Sequence, residues 1–159
     1  MSVIATSVPI AYRAATGEDM TFVISSWLDS FRDSHTAGMI SMASYFEIMW
    51  PQVEALVDRP GSRTIVACNA GDARQLHGFI TFDTATGSDP PIVHYVYVKS
   101  PFRRWGIARG LFAAAGIDPE RPLDYTYKTA IVVRLARKIP LARWQPMLAR
   151  FEKGAGIRR

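Results

Sequence analysis

The chain has one cysteine, Cys68, and three histidines among 159 residues. A lone thiol allows no intramolecular disulfide and no cysteine-rich zinc site. His35, His77 and His94 are scattered with no metal-ligand spacing, so no metal is expected. No apolar run approaches the roughly 20 residues of a membrane span. Residues 1–10 lack a charged segment ahead of a long apolar one, the mark of a secretory signal. These absences point to a soluble, cytoplasmic protein without a membrane partner. No Gly-Lys-Ser/Thr is present to support Walker-type phosphate binding, and the three glycines of a dinucleotide fingerprint are missing. Internal repeats and low-complexity tracts are absent too. Cys68 closes the apolar run Thr64-Ile-Val-Ala-Cys68, where it reads as a small buried residue and not a nucleophile.

What is present suits one folded domain. Apolar residues make up 48% of the chain, enough for a full core without staples. Residues 1–152 read as that domain and 153–159 as a basic, flexible tail. Charge is unevenly placed: residues 1–98 carry 5 Lys/Arg against 10 Asp/Glu, and residues 99–159 carry 14 against 4. A basic C-terminal third fits either a solvated face or a polyanionic partner such as DNA or RNA.

The stretch from Pro91 to Ala115 organises the rest. Ile92, Val93, Tyr95, Val96, Tyr97 and Val98 are β-branched or aromatic and predict a strand, which Ser100-Pro101 ends. Ile107, Leu111, Phe112 and Ala115 then recur at helical spacing. Between them, Arg103-Arg104-Trp105-Gly106-Ile107-Ala108 places small residues and positive charge at a helix N-terminus. Free amides and the helix dipole make that an anion site, most simply for phosphate or pyrophosphate.

Upstream, a short strand over 11–15 leads to a capping box, Thr16-x-x-Asp19, and a helix from Met20 to about Asp33. A second box, Ser44-x-x-Glu47, predicts another helix that Pro51 should kink or restart, with Val53, Leu56 and Val57 on its apolar face. Strands follow over Arg63–Cys68 and Leu76–Phe82, with Gly78 marking a bulge or a close contact. Downstream, Leu123–Tyr127 predicts a fifth strand and Thr129–Lys138 a helix with Ile131, Val132, Leu135 and Ile139 apolar. Leu141–Phe151 reads as either a final strand or an irregular arm.

The pattern Val98-x-x-Pro101-x-Arg103-x-x-Gly106-x-Ala108 resembles the acyl-CoA-binding signature of GNAT-type N-acetyltransferases. The element order β-α-α-β-β-β-α-β-α-(β) resembles that family's α/β fold, a mixed sheet flanked by helices, over about residues 10–139. Three further stretches, around Ser26–Ser34, Tyr97–Arg104 and Tyr125–Thr129, resemble small GNAT-like proteins of tailed bacteriophages, which would place the chain in the host cytoplasm. The resemblance implies an acetyl-CoA-dependent transfer of acetyl to a small or macromolecular amine. Val96 and Val98 would bond the pantetheine, and Arg103, Arg104, Trp105, Gly106, Ile107 and Ala108 would bind the pyrophosphate. It also implies a tyrosine acid on the fourth helix, where this chain has none. Phage proteins of this scaffold that modify nucleic-acid bases supply an alternative activity. A non-catalytic acyl-CoA or nucleic-acid binding protein is a third reading.

Acetyl transfer to an amine needs a route for the amine's proton. His94 shares strand parity with Val96 and Val98, which aims it at the thioester side, and its ordinary pKa of about 6.5 suits a base. His35, in the loop after the first helix, is a second candidate. Tyr125, with Asp124 and Tyr127, is a candidate acid or substrate-orienting group. His77 reads as structural.

Overall fold

The computed structural model describes residues 9–32, 40–128, 130–139 and 141–149. Its elements follow the expected order: β1 (Ile10–Ala14), α1 (Met20–Arg32), α2 (Met42–Asp58), β2 (Ser62–Asn69), β3 (Asp72–Asp83), β4 (Ile92–Val98), α3 (Ile107–Ala114), β5 (Leu123–Tyr125), α4 (Ala130–Lys138) and β6 (Ala142–Trp144). The six strands form one mixed sheet in sequence order. β1 to β4 are antiparallel neighbours, and β5 and β6 run parallel to β4.

Strand alternation divides the core between two faces. Val66, Cys68, Phe79 and Tyr95 point to α1 and α2, joining Val23, Trp27, Leu28, Tyr45, Val53 and Leu56. Trp27 stacks on Tyr95 with centroids 4.7 Å apart, which ties α1 to the middle of β4. Ala67, Ile80, Phe82, Val93 and Val96 point the other way, to Ile107, Leu111 and Phe112 of α3. Cys68 is buried and free, in the packing role its surroundings predict.

Several boundaries differ from expectation for physical reasons. The Thr16 box forms, with Asp19 Oδ2 taking the Thr16 amide at 2.7 Å while Arg13 clamps the same carboxylate at 2.7 and 3.0 Å. It opens a 3-10 turn, Gly17–Asp19, that runs on into α1. α2 starts one turn earlier than Ser44. Ser41 is its cap, with extended backbone and an Oγ that accepts the Ser44 amide at 3.3 Å. Pro51 lies inside a continuous α2. It is exposed, as is Glu47, so the carbonyl it leaves unbonded meets water. Ile48 is exposed, off the apolar face. β5 is two residues shorter than expected, and in the stretch after α4 the described residues 141–149 hold β6 and a 3-10 turn at Pro146–Ala149. Thr129, Phe151 and the basic tail lie outside the described residues, as do the side chains of Ile131, Val132 and Leu135.

Two β-bulges matter for the site. In β3, Ala67 pairs with Gly78 and Cys68 with Leu76, leaving His77 unpaired. In β4, Thr81 stands opposite Tyr95 and Phe82 opposite Val93, so His94 is the extra residue of the bulge. Beside the first, a Cβ on Gly78 would strike the backbone oxygen of Tyr97. Gly78→Ala is therefore expected to force β3 and β4 apart and cost about 3 kcal/mol, at the upper end for overpacking because backbone must move. Urea midpoints at constant m-value would measure it.

Candidate functional site

The sheet changes character where β4 passes β5. Their register covers Ile92↔Asp124 and Val93↔Tyr125, and the last bond runs from Thr126 N to Val93 O at 3.2 Å. From His94 to Val98, β4 continues with no strand beside it on that side among the described residues. Its other edge stays on β3, where Lys99 N donates to His77 O at 2.8 Å. Antiparallel alternation then turns the backbone groups of Tyr95 and Tyr97 toward β3, and those of Val96 and Val98 toward the open side. Val96 and Val98 are β-branched, which suits the extended backbone of this edge. On the α3 face beside this edge lies an apolar crevice lined by Val93, Val96, Phe112, Leu123, Tyr125 and Ile139.

The chain next turns tightly into α3. Ser100–Phe102 forms a 3-10 turn with Pro101 near its start, and Arg103 Nε donates to Val98 O at 3.1 Å. Arg104 has φ 70° and Gly106 φ 77°. Gly106 is free to adopt that conformation, whereas Arg104 holds it at a cost of about 1 kcal/mol or more. Gly106 O accepts the first helical bond, from Gly110 N at 3.0 Å. The amides of Ile107, Ala108 and Arg109 therefore precede the helical ladder, and no side chain caps them. Arg103, Arg104, Trp105 and Gly106 are exposed, Ala108 is half-buried, and Ile107 anchors the turn in the core. A Cβ at Gly106 would meet nothing within 4 Å, so the space in front of the turn is open. Phe102 holds the turn from below, its ring 3.9 Å from His77 and edge-on to Trp105. His77 is buried, and its ring nitrogens find no hydrogen-bond partner among the described residues. Burial, then the nearby Lys99 charge, lowers its pKa.

His94 is not where parity puts it. The bulge resets the alternation, so Val93, Val96 and Val98 pack on the α3 face while His94 stands with the α2 end of the molecule. It is 1% exposed. Nε2 lies 3.0 Å from Asp83 Oδ1 and 3.1 Å from Arg59 Nη2, and Nδ1 lies 2.9 Å from Thr126 Oγ1. Arg59 also donates to Asp83 Oδ2 at 2.7 Å and to Leu148 O at 2.9 Å, and Ser62 Oγ donates to Asp83 Oδ1 at 2.8 Å. The result is a buried polar array joining the C-terminal end of α2, the end of β3, the β4 bulge and the residue after β5. Asp83, Thr126 and Arg59 are the members that sequence reasoning missed.

Burial pushes the Asp83 carboxyl up, but its bond to His94, that ring's charge, Ser62 and the Arg59 charge together hold it at about 2. An unfolded aspartate titrates near 3.9. The stabilisation is thus complete above that value and is lost as pH falls from about 4 through about 2. It amounts to about 2–3 kcal/mol. Urea midpoints should hold steady from pH 7 to 5 and drop below pH 4, with a shallower drop in Asp83→Asn.

Tyr125 lines the crevice and is half-buried, whereas Tyr127 packs edge-on against Trp27, Phe31 and Tyr95. Asp124 is paired to Arg143 at 3.1 Å. His35 lies outside the described residues. Among the described residues no cluster of His, Cys, Asp or Glu can hold a metal ion, and no helix is long and apolar enough to cross a membrane.

No protein-family model and no curated protein matches the chain. Solved structures do match. A mutant of the BH1408 protein of Bacillus halodurans aligns at TM-score 0.60 and 14% identity, over 82% of this chain and 91% of that one. Apo YjaB of Escherichia coli aligns at 0.54 and 22% identity, over 82% and 81%. The GCN5-related glucosamine N-acetyltransferase region of a fungal multi-domain β-N-acetylglucosaminidase aligns at 0.50 and 13% identity over 70% of this chain, which spans 12% of that protein's length. The architecture that carries the open β4 edge and the α3 turn is the GNAT fold, as the pattern from Val98 to Ala108 implies.

Proposed function

We propose that this chain binds acetyl-CoA and transfers its acetyl group to an amine. The observation that carries the reading is the open edge of β4 ending at an uncapped, glycine-bearing helix start. A pantetheine arm is a chain of amides of strand-like reach. Laid along Val96 and Val98, it would take the hydrogen bonds that a neighbouring strand would otherwise make, with its apolar stretches against the crevice. The pyrophosphate would then meet the amides of Ile107, Ala108 and Arg109, the helix dipole and the charges of Arg103 and Arg104. With the pyrophosphate beyond Val98, the thioester would lie at Val96, toward the fork with β5; the Val96 amide would polarise its carbonyl, and the amine would attack its carbon as the C–S bond breaks. Tyr125, beside the same crevice, would orient the acyl end.

Calorimetric titration with acetyl-CoA tests the reading. One-site binding is expected, with acetyl-CoA and free CoA both favoured over dephosphorylated pantetheine because the phosphates supply the anion contacts. Absence of heat and of any thermal shift would sink it. Thiol release then identifies the acceptor. Residues 99–159 hold 14 of the 19 basic groups, so nucleic acids belong in that screen beside small amines.

A further inference from the structure

The array around His94 has the order hydroxyl, imidazole, carboxylate, and its hydroxyl end stands at the point where β4 loses its neighbour. Thr126 is the residue whose amide makes the last β4–β5 bond, so its side chain sits where the open edge begins. Burial is graded along the line: Thr126 is 5% exposed, His94 1% and Asp83 0%. We propose that Thr126, oriented by His94 and Asp83, carries the proton between the attacking amine and the departing thiol, a role that rests on the acyl-CoA reading above.

Two groups face Nε2, the carboxylate oxygen Asp83 Oδ1 at 3.0 Å and the guanidinium nitrogen Arg59 Nη2 at 3.1 Å, and they favour opposite tautomers. Arg59 Nη2 already donates to Asp83 Oδ2 at 2.7 Å, whereas Oδ1 only accepts, so the relay places the ring proton on Nε2. Nδ1 is then the acceptor, and at 2.9 Å it takes the Thr126 hydroxyl hydrogen. Arg59 faces Asp83 from α2 and neutralises it, and Ser62 supplies a further donor from β2. These contacts fix the carboxylate, which fixes the ring, which fixes the hydroxyl. Asp83 is a positioning residue, His94 is the proton acceptor behind the hydroxyl, and Thr126 is the catalytic residue that meets the reactants.

The step balances without an outside reactant. The amine nitrogen bonds to the thioester carbon as the carbon–sulfur bond breaks. An amine proton passes to Thr126 Oγ1 while the Thr126 proton passes to His94 Nδ1. The imidazolium so formed is held by the Asp83 carboxylate. The same path run backward delivers that proton to the thiolate sulfur, leaving amide, thiol and the array in its starting state. A proton route of this kind replaces the tyrosine that α4 lacks.

The test has a spectroscopic arm and a kinetic arm. In protein labelled with 15N-histidine, His94 should show a protonated Nε2 and an unprotonated Nδ1, and saturation with acetyl-CoA should shift the Nδ1 resonance. In thiol-release assays with acetyl-CoA and a panel of primary amines, Thr126→Val and His94→Gln should lose about a hundred- to ten-thousandfold in kcat. Their acetyl-CoA affinity should stay within about threefold of the parent. Thr126→Ser restores the hydroxyl and should stay within about tenfold of the parent rate, which a purely structural methyl-and-hydroxyl fit would not predict. Binding with an unmoved His94 resonance, or undiminished turnover in folded Thr126→Val, overturns the relay alone. Where Thr126→Val fails to fold, the serine variant and the resonance of the unaltered protein decide. Absence of acetyl-CoA binding overturns the acyl-CoA reading itself, and the relay with it.

Discussion

Gly106→Glu should bind acetyl-CoA at least a hundredfold more weakly than the unaltered protein while remaining folded. The open space at Gly106 is the reason for the second half of that expectation, since a Cβ there meets nothing within 4 Å. The φ of 77° adds about 1 kcal/mol of backbone strain for a residue with a side chain. That is a small part of a typical domain's stability. The carboxylate, by contrast, would stand before the free amides of Ile107 and Ala108, where the pyrophosphate is proposed to sit. It would occupy the anion position from within and repel the ligand's charge. Gly106→Asn separates the two effects, because asparagine tolerates the left-handed region and brings no charge. Calorimetry should find Gly106→Asn within about tenfold of the parent. Equal affinity in Gly106→Glu would remove the phosphates from this turn, whatever binds elsewhere.

The turn from β4 into α3 was legible because it is local. Strand, proline, arginines, glycine and helix follow one another within eleven residues of chain from Val98 to Ala108, so spacing alone places them together. The sheet order was legible for a related reason: β-branched runs such as Ile92–Val98 and helical spacing such as Ile107, Leu111 and Phe112 each announce one element. The His94 array was not legible, because its members come from the end of α2, the end of β3, the middle of β4 and the residue after β5. Nothing in Thr81-Phe82-Asp83 or Val93-His94-Tyr95 announces a bulge, and one inserted residue reverses the side of every neighbour that follows. Parity therefore paired His94 with Val96, while the fold pairs it with Asp83 and Thr126. Ser41 and Pro51 teach a milder version of the same point. Either serine fits a cap by type, and only the burial of Tyr45 and Val53 in one continuous face decides where α2 starts and that it survives its proline.

Arg59→Met should destabilise the fold by about 3–5 kcal/mol, the cost of leaving a buried charge without its partner. Asp83 is fully buried and the Arg59 side chain is 7% exposed, with 2.7 Å between Nη2 and Oδ2. Methionine fills the apolar stem of arginine but supplies neither that charge nor the donor to Leu148 O. Ser62 and His94 would remain on the carboxylate, so the loss falls short of a bare ion's desolvation. The melting temperature of a chain this size should fall on the order of 10 °C. Removing the carboxylate as well, in Arg59→Met with Asp83→Leu, should recover part of that stability, because two apolar groups leave no uncompensated charge. The double variant should nonetheless lose the acid-sensitive part of the unfolding profile, since the carboxylate that titrates is gone. A single variant as stable as the parent would mean that the Asp83 charge is neutralised by His94 alone. The imidazolium would then be the resting state of the ring, a condition that the 15N resonances of His94 report directly.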